Sequence, residues 1–138
     1  MSQGPERLNP RKLISLVSTI LDSDEVLLRR VVSALYFSLF NYWALKHYSK
    51  RNRGKGPLRD YFSLTEFTGF LYRNGLDREV YTLLVYRVGA DHYALNPTEV
   101  VITDRQFKGK SVKVDINENS IKIVLKAAEQ VLHFLEKY

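Results

Sequence analysis

Val31-Val32-Ser33-Ala34-Leu35-Tyr36-Phe37-Ser38-Leu39-Phe40-Asn41-Tyr42-Trp43-Ala44-Leu45 is the stretch that decides the fold. Only Ser33, Ser38 and Asn41 interrupt its apolar side chains, and none of the three is charged. The run holds no Gly or Pro, while its Ala and Leu residues favour helix. A helix that is apolar on nearly every side must be covered on most of them. The cover comes from the rest of this chain or from a second copy. Arg29 and Arg30 before the run, and Lys46, His47 and Lys50 after it, argue against a membrane span. The stretch from Asp24 to about Arg51 therefore reads as the central helix of a small helical domain.

Working outward, Asn9-Pro10 is a helix start, with Asn9 as cap and Pro10 in the first turn. Leu13, Leu16, Val17, Ile20 and Leu21 recur at three and four and predict one apolar face. Asp22 and Glu25 have capping-box spacing at the head of the central helix. A connection this short predicts antiparallel packing of the two helices. Downstream, Ser63 and Glu66 repeat the capping-box spacing, and Leu64 to Arg73 is a short helix stopped by Asn74-Gly75. Asp77 caps the next helix, Arg78 to about Ala90, with Val80, Leu83, Leu84 and Val88 inward, and Asn96-Pro97 closes the following turn.

Val100 to Thr103 and Ser111 to Ile116 are β-branched and partly alternating, around a polar segment holding Lys108-Gly109-Lys110. They predict a small β-hairpin insertion over about 99–116. Asn117 then caps a last helix striped by Ile121, Val124, Leu125, Ala128, Val131, Leu132 and Leu135. The expected architecture is all-α: a bundle of four to five helices with that insertion. The 138 residues make a single domain, with residues 1–8 expected as a flexible N-terminus.

The composition, 45% hydrophobic and 26% charged, is that of a globular protein. Absence of cysteine removes disulfides, thiolate metal sites and cysteine nucleophiles. His47, His92 and His133 have no metal-ligand spacing, so neither metal nor cofactor is expected. Met1 to Asn9 has no apolar run of a signal peptide, so the expectation is a cytoplasmic protein without membrane attachment. A net charge of +6 suits an anionic partner, nucleic acid first. Tyr48 to Asp60 concentrates that charge as Lys50, Arg51, Arg53, Lys55 and Arg59 around Gly54, Gly56 and Pro57. Two readings stand side by side: an RNA-phosphate contact surface, or a solvated loop whose cations suit a helix C-terminus.

Chemistry concentrates in Tyr86-Arg87-Val88-Gly89-Ala90-Asp91-His92-Tyr93. An Arg fork stabilises the extra negative charge of a pentacoordinate phosphorus, and a His moves a proton near neutral pH. Those two groups suffice to cleave RNA without metal, because the RNA brings its own 2′-hydroxyl nucleophile. Residues five apart on a regular helix point about 140° apart. Arg87 and His92 thus converge only where the helix ends or loosens between them, which Gly89 permits. The structural alternative is an Arg87–Asp91 helix salt bridge with His92 as a cap residue. Tyr86 and Tyr93 are read as packing residues ahead of base-stacking ones.

Two local signatures and the helical order resemble the HEPN superfamily (higher eukaryotes and prokaryotes nucleotide-binding domain). The first is Arg30-Val31-Val32-Ser33-Ala34-Leu35-Tyr36-Phe37-Ser38-Leu39-Phe40, and the second is Arg87-Val88-Gly89-Ala90-Asp91-His92-Tyr93. The last helix, with its Ala127-Ala128-Glu129 patch, also fits. The resemblance implies an HEPN-like helical bundle and, in active members, a metal-independent endoribonuclease built on Arg and His four to six residues apart. Arg87 and His92 match that spacing as catalytic residues, with Asp91 and Tyr93 in support. It implies a homodimer whose two copies form a composite site and cover the central helix. Other members lack catalysis and bind RNA or nucleotide, or partner a minimal nucleotidyltransferase in toxin–antitoxin systems. Active members often carry a polar residue directly after the Arg, where this chain has Val88.

Overall fold

A 28-residue helix, α2 (Glu25–Asn52), is the axis on which the other elements are laid. At 1.5 Å per residue it extends about 42 Å. The computed structural model describes residues 9–52, 64–92, 100–102, 110–112 and 115–138. Among them are four further helices: α1 (Pro10–Ser18), α3 (Leu64–Arg73), α4 (Asp77–His92) and α5 (Glu118–Lys137). The helices α1, α3, α4 and α5 all pack against α2, and α5 also packs on α1 and α4. Short strands β1 (Val100–Ile102) and β2 (Lys110–Val112) pair antiparallel, Val101 opposite Ser111. The molecule is a helical bundle, and no helix among the described residues is long and apolar enough to cross a membrane.

Leu35, Tyr36, Leu39 and Trp43 of α2 are almost wholly buried against Phe67 and Leu71 of α3, Val80 and Leu83 of α4, and the α5 stripe. Burying each such side chain is worth about 1.5–3 kcal/mol relative to exposure. All seven stripe residues, Ile121, Val124, Leu125, Ala128, Val131, Leu132 and Leu135, face the core. The far end of α2 closes in an aromatic cluster. Trp43 stacks on His47 at 5.0 Å between ring centroids, Phe70 meets Tyr138 at 4.9 Å, and His47 Nδ1 lies 2.6 Å from the Tyr138 hydroxyl. Lys46 Nζ donates to the carbonyls of Leu135 (2.8 Å) and Glu136 (3.2 Å), placing a cation at the negative end of α5.

The helix ends follow local chemistry. Asn9 Oδ1 accepts from the Arg11 amide at 2.9 Å with Pro10 in the first turn, and Asn117 Oδ1 accepts from the Ser120 amide at 3.0 Å. Gly75 has φ +82°, and the Leu76 amide reaches the Leu71 carbonyl at 3.0 Å, so α3 ends in a Schellman turn. The side chain of Arg11 bridges Glu129 and Glu136. Its hydrogen bond to Glu136 raises the guanidinium pKa, against a smaller loss from burial.

Several details depart from the sequence reading. The cap of α2 is Asp24, whose Oδ1 accepts from the Leu27 amide at 3.1 Å, because the helix begins at Glu25 and Asp22 lies two residues too early for that turn. Asp77 is the first helical residue of α4 rather than its cap. Helix α1 ends at Ser18, which puts Ile20 and Leu21 in the connection, and it turns Ile14 inward while Leu16 is 55% exposed. In α4, Val85 is buried and Val88 only half-buried. Ile116 belongs to no strand; it is buried just before the Asn117 cap, with Ile121 buried four positions into α5, the arrangement of a hydrophobic staple. Residues 1–8, Ser63, Asn96, Pro97 and the segment 103–109 between the two strands lie outside the described residues.

Burial predicts contrasting substitutions. Leu39→Ala is expected to cost about 2–5 kcal/mol in urea unfolding. Leu16→Ala is expected to stay within about 0.5 kcal/mol of the parent, since Leu16 faces solvent.

Candidate functional site

The sequence cluster at the end of α4 meets the first half of α2 along a polar seam that runs from the buried Arg29 to the exposed Asp91. Positions 29, 33, 36 and 37 of α2 share one face, by three- and four-residue spacing, and each reaches a partner on α4. Arg29 is 7% exposed although it is charged. Its Nε donates to Glu25 Oε2 at 2.7 Å, and its Nη1 donates to the carbonyls of Gly89 (2.8 Å) and Ala90 (3.4 Å). These carbonyls belong to the last turn of α4, where backbone acceptors have no helical partner and a cation is favourable. Arg29 thus ties the end of α4 to α2. Its Nη2 is buried and finds no acceptor among the described residues.

Arg87 lies one turn earlier. Its guanidinium carbon stands 5.1 Å from the centroid of the Tyr36 ring and 5.8 Å from that of Phe37. Contacts of this kind are worth about 0.5–2 kcal/mol, more as water is excluded. Below it, the Tyr36 hydroxyl hydrogen-bonds Thr68 Oγ1 at 3.1 Å in the core, which fixes the ring that Arg87 covers. Arg87 Nη1 donates to Asp91 Oδ2 at 3.3 Å, and the Ser33 hydroxyl donates to that same oxygen at 3.4 Å. The Arg87 side chain is 14% exposed, and its Nε is buried with no acceptor among the described residues. The salt bridge expected from the four-residue spacing is present.

Helix α4 runs without interruption through Gly89 to His92. Gly89 is buried and lies within the helix, so it does not loosen the chain as its conformational freedom permits. On a continuous helix the backbone positions of Arg87 and His92 remain about 140° apart around the axis. Within one chain the backbone does not bring them onto a common face. Of the other expected site residues, Lys50 and Arg51 occupy the last turn of α2, while Arg53, Lys55, Arg59 and Tyr93 lie outside the described residues. Tyr86 is half-buried against the core, in line with a packing role.

Beside Arg87, α2 leaves a stripe uncovered. Arg30, Ala34, Phe37 and Asn41 are exposed on it, and Val26 (70%) and Leu27 (42%) extend it toward the start of the helix. Toward α1 the stripe drops into an open groove of about 450 Å³ between Leu13, Leu16, Ala34, Phe37, Ser38 and Asn41. The other described residues therefore cover most of α2 but not this side. No group of His, Cys, Asp and Glu suited to a metal occurs among the described residues. Sequence reasoning overlooked Arg29 and Ser33. The available signal for Arg29 was its position four residues after Glu25, and for Ser33 its place on the face shared with Tyr36. Compared with family models, curated proteins and solved structures, the chain finds no match.

Removing the Arg29 tie tests its weight. Arg29→Met is expected to destabilise by about 1.5–3 kcal/mol, because hydrogen bonds from a charged donor to two buried carbonyls are lost. Glu25→Ala, at the exposed partner, is expected to cost less than about 1 kcal/mol in the same denaturation experiment.

Proposed function

We propose that this chain is an HEPN-like RNA-associated protein, acting as a metal-independent endoribonuclease in the form of a homodimer. The observation that carries the reading is the adjacency of Arg87 to the uncovered stripe of α2. The guanidinium lies over Phe37, itself 36% exposed. A second copy seated on this stripe brings its own α4 end toward Arg87, and with it a His92 that the first chain's helix carries on another face. An apolar stripe bearing Val26, Leu27, Ala34 and Phe37 is the kind of surface that gains from such cover.

In that site the 2′-oxygen of a ribose attacks the adjacent phosphorus and the bond to the 5′-oxygen breaks, leaving a 2′,3′-cyclic phosphate and a 5′-hydroxyl. His92 takes the 2′-proton or supplies one to the leaving oxygen, as a group that titrates near neutrality is able to do. Arg87 offsets the charge that accumulates on the phosphoryl oxygens. Asp91 supports the site by balancing the charge of Arg87 in the free protein, Tyr93 supports it as well, and the basic stretch from Lys50 to Arg59 draws in the RNA backbone. The HEPN-like topology, with strands β1 and β2 as the ends of an inserted hairpin, is part of the same proposal.

A second reading is favoured by the Arg87–Asp91 pair and by the low exposure of Arg87. In it the cluster is structural, and the chain is a non-catalytic module that binds RNA or nucleotide, or partners a minimal nucleotidyltransferase of a toxin–antitoxin pair. Labelled single-stranded RNA in EDTA separates the two. Cleavage by the parent, lost in Arg87→Ala and in His92→Ala and regained on mixing those two variants, is the result expected of a composite site. RNA left intact by the parent, or cut equally by His92→Ala, overturns the ribonuclease in favour of the second reading. Phe37→Glu is expected to convert a dimer to monomer in sedimentation and to abolish cleavage with it.

A further inference from the structure

Asp91 sits where a carboxylate gains least. It is the penultimate residue of α4, at the negative end of the helix dipole, a place that favours cations. Its ion pair with Arg87 also runs in the weaker order, base before acid by four residues. The contact is a single one at 3.3 Å, not a two-pronged fork. Ser33 adds one hydrogen bond to the same oxygen, at 3.4 Å. Arg87, by contrast, is firmly placed: its guanidinium rests on Tyr36, and Tyr36 is pinned to Thr68. A rigid guanidinium thus faces a weakly held carboxylate, while its own Nε is left without an acceptor among the described residues.

We propose that Asp91 is an internal counter-ion that occupies the Arg87 fork in the free protein and is displaced by an RNA phosphate. The inference rests on the reading of Arg87 as a phosphate ligand. A phosphate offers two oxygens in the plane of a guanidinium and so makes the bidentate contact that Asp91 does not. Displacement leaves the Asp91 carboxylate to solvent and to Ser33, with no change to Tyr36 or Thr68. Asp91 therefore sets the threshold for anion binding: a ligand gains Arg87 only after meeting the cost of breaking the internal pair. Conserving the charge balance of the free site also keeps Arg87 from recruiting small anions of low affinity.

The test is binding of a labelled single-stranded 2′-O-methyl RNA, which has no 2′-hydroxyl and is not cleaved by transesterification. Anisotropy would be measured for the parent, Asp91→Asn, Arg87→Ala and the double variant, with circular dichroism confirming each fold. Asp91→Asn is expected to tighten binding by about fivefold, the upper range set by a partly exposed ion pair. In the Arg87→Ala background the same substitution is expected to gain little, because only the general change in net charge remains. An equal gain with and without Arg87, or no gain in Asp91→Asn while Arg87→Ala weakens binding, overturns the counter-ion. Equal binding by the parent and Arg87→Ala, or binding by none of the four, overturns the phosphate-ligand reading itself and the counter-ion with it.

Discussion

Burial of α2 is the constraint from which the rest of the structure follows. A helix carrying Leu35, Tyr36, Leu39 and Trp43 toward one half of its circumference is unstable in water until other elements cover them. Four helices do so, and each of them contributes a stripe matched to α2: Ile14 and Val17 from α1, Phe67 and Leu71 from α3, Val80 and Leu83 from α4, and the long row of α5. Polar ties are added at both ends of the bundle, at the far end of α2 beside the aromatic cluster. Lys46 meets the carbonyl end of α5, and Arg29 meets that of α4. In both cases a cation on α2 satisfies backbone acceptors that a helix terminus leaves over.

This use of α2 explains how the fold and the candidate site are joined. The face that carries Arg29, Ser33, Tyr36 and Phe37 serves the core through Tyr36 and the surface through Phe37. Arg87 straddles both rings, so its position is determined by core packing even though its charge lies near solvent. A group held in this way pays little further entropy to meet a ligand, which suits an anion contact. It is equally what a structural arginine looks like. The same contacts serve both readings, and the difference between them lies in whether the Asp91 pair gives way.

Much of the fold was legible from spacing alone. The Asn9 and Asn117 caps, the Gly75 stop and the seven-residue stripe of α5 depend on chemistry within a few residues of the chain, and all lie where expected. The errors fall where a choice rested on packing. Periodicity marked Leu16 as inward, but α1 is only nine residues long and turns Ile14 to the core, so Leu16 is left outside. Capping-box spacing to Glu25 pointed to Asp22, but the helix begins at Glu25 and Asp24, directly before it, is the cap. Ile116 looked like a strand residue because it is β-branched, yet its burial beside the last helix draws it out of any ladder.

For the site, the sequence by itself determined which groups are available: Arg87 and Asp91 four residues apart, His92 after them, and a long apolar helix with Arg29 near its head. Tertiary structure decided what these groups face. It kept α4 continuous through Gly89, and the seating of Arg87 on Tyr36 and Phe37 and the capture of the Gly89 and Ala90 carbonyls by Arg29 join residues about fifty to sixty positions apart. Spacing along a chain specifies only neighbours within a few turns, since it fixes angles around one helix axis. Which two helix faces meet is settled by the joint burial of all of them.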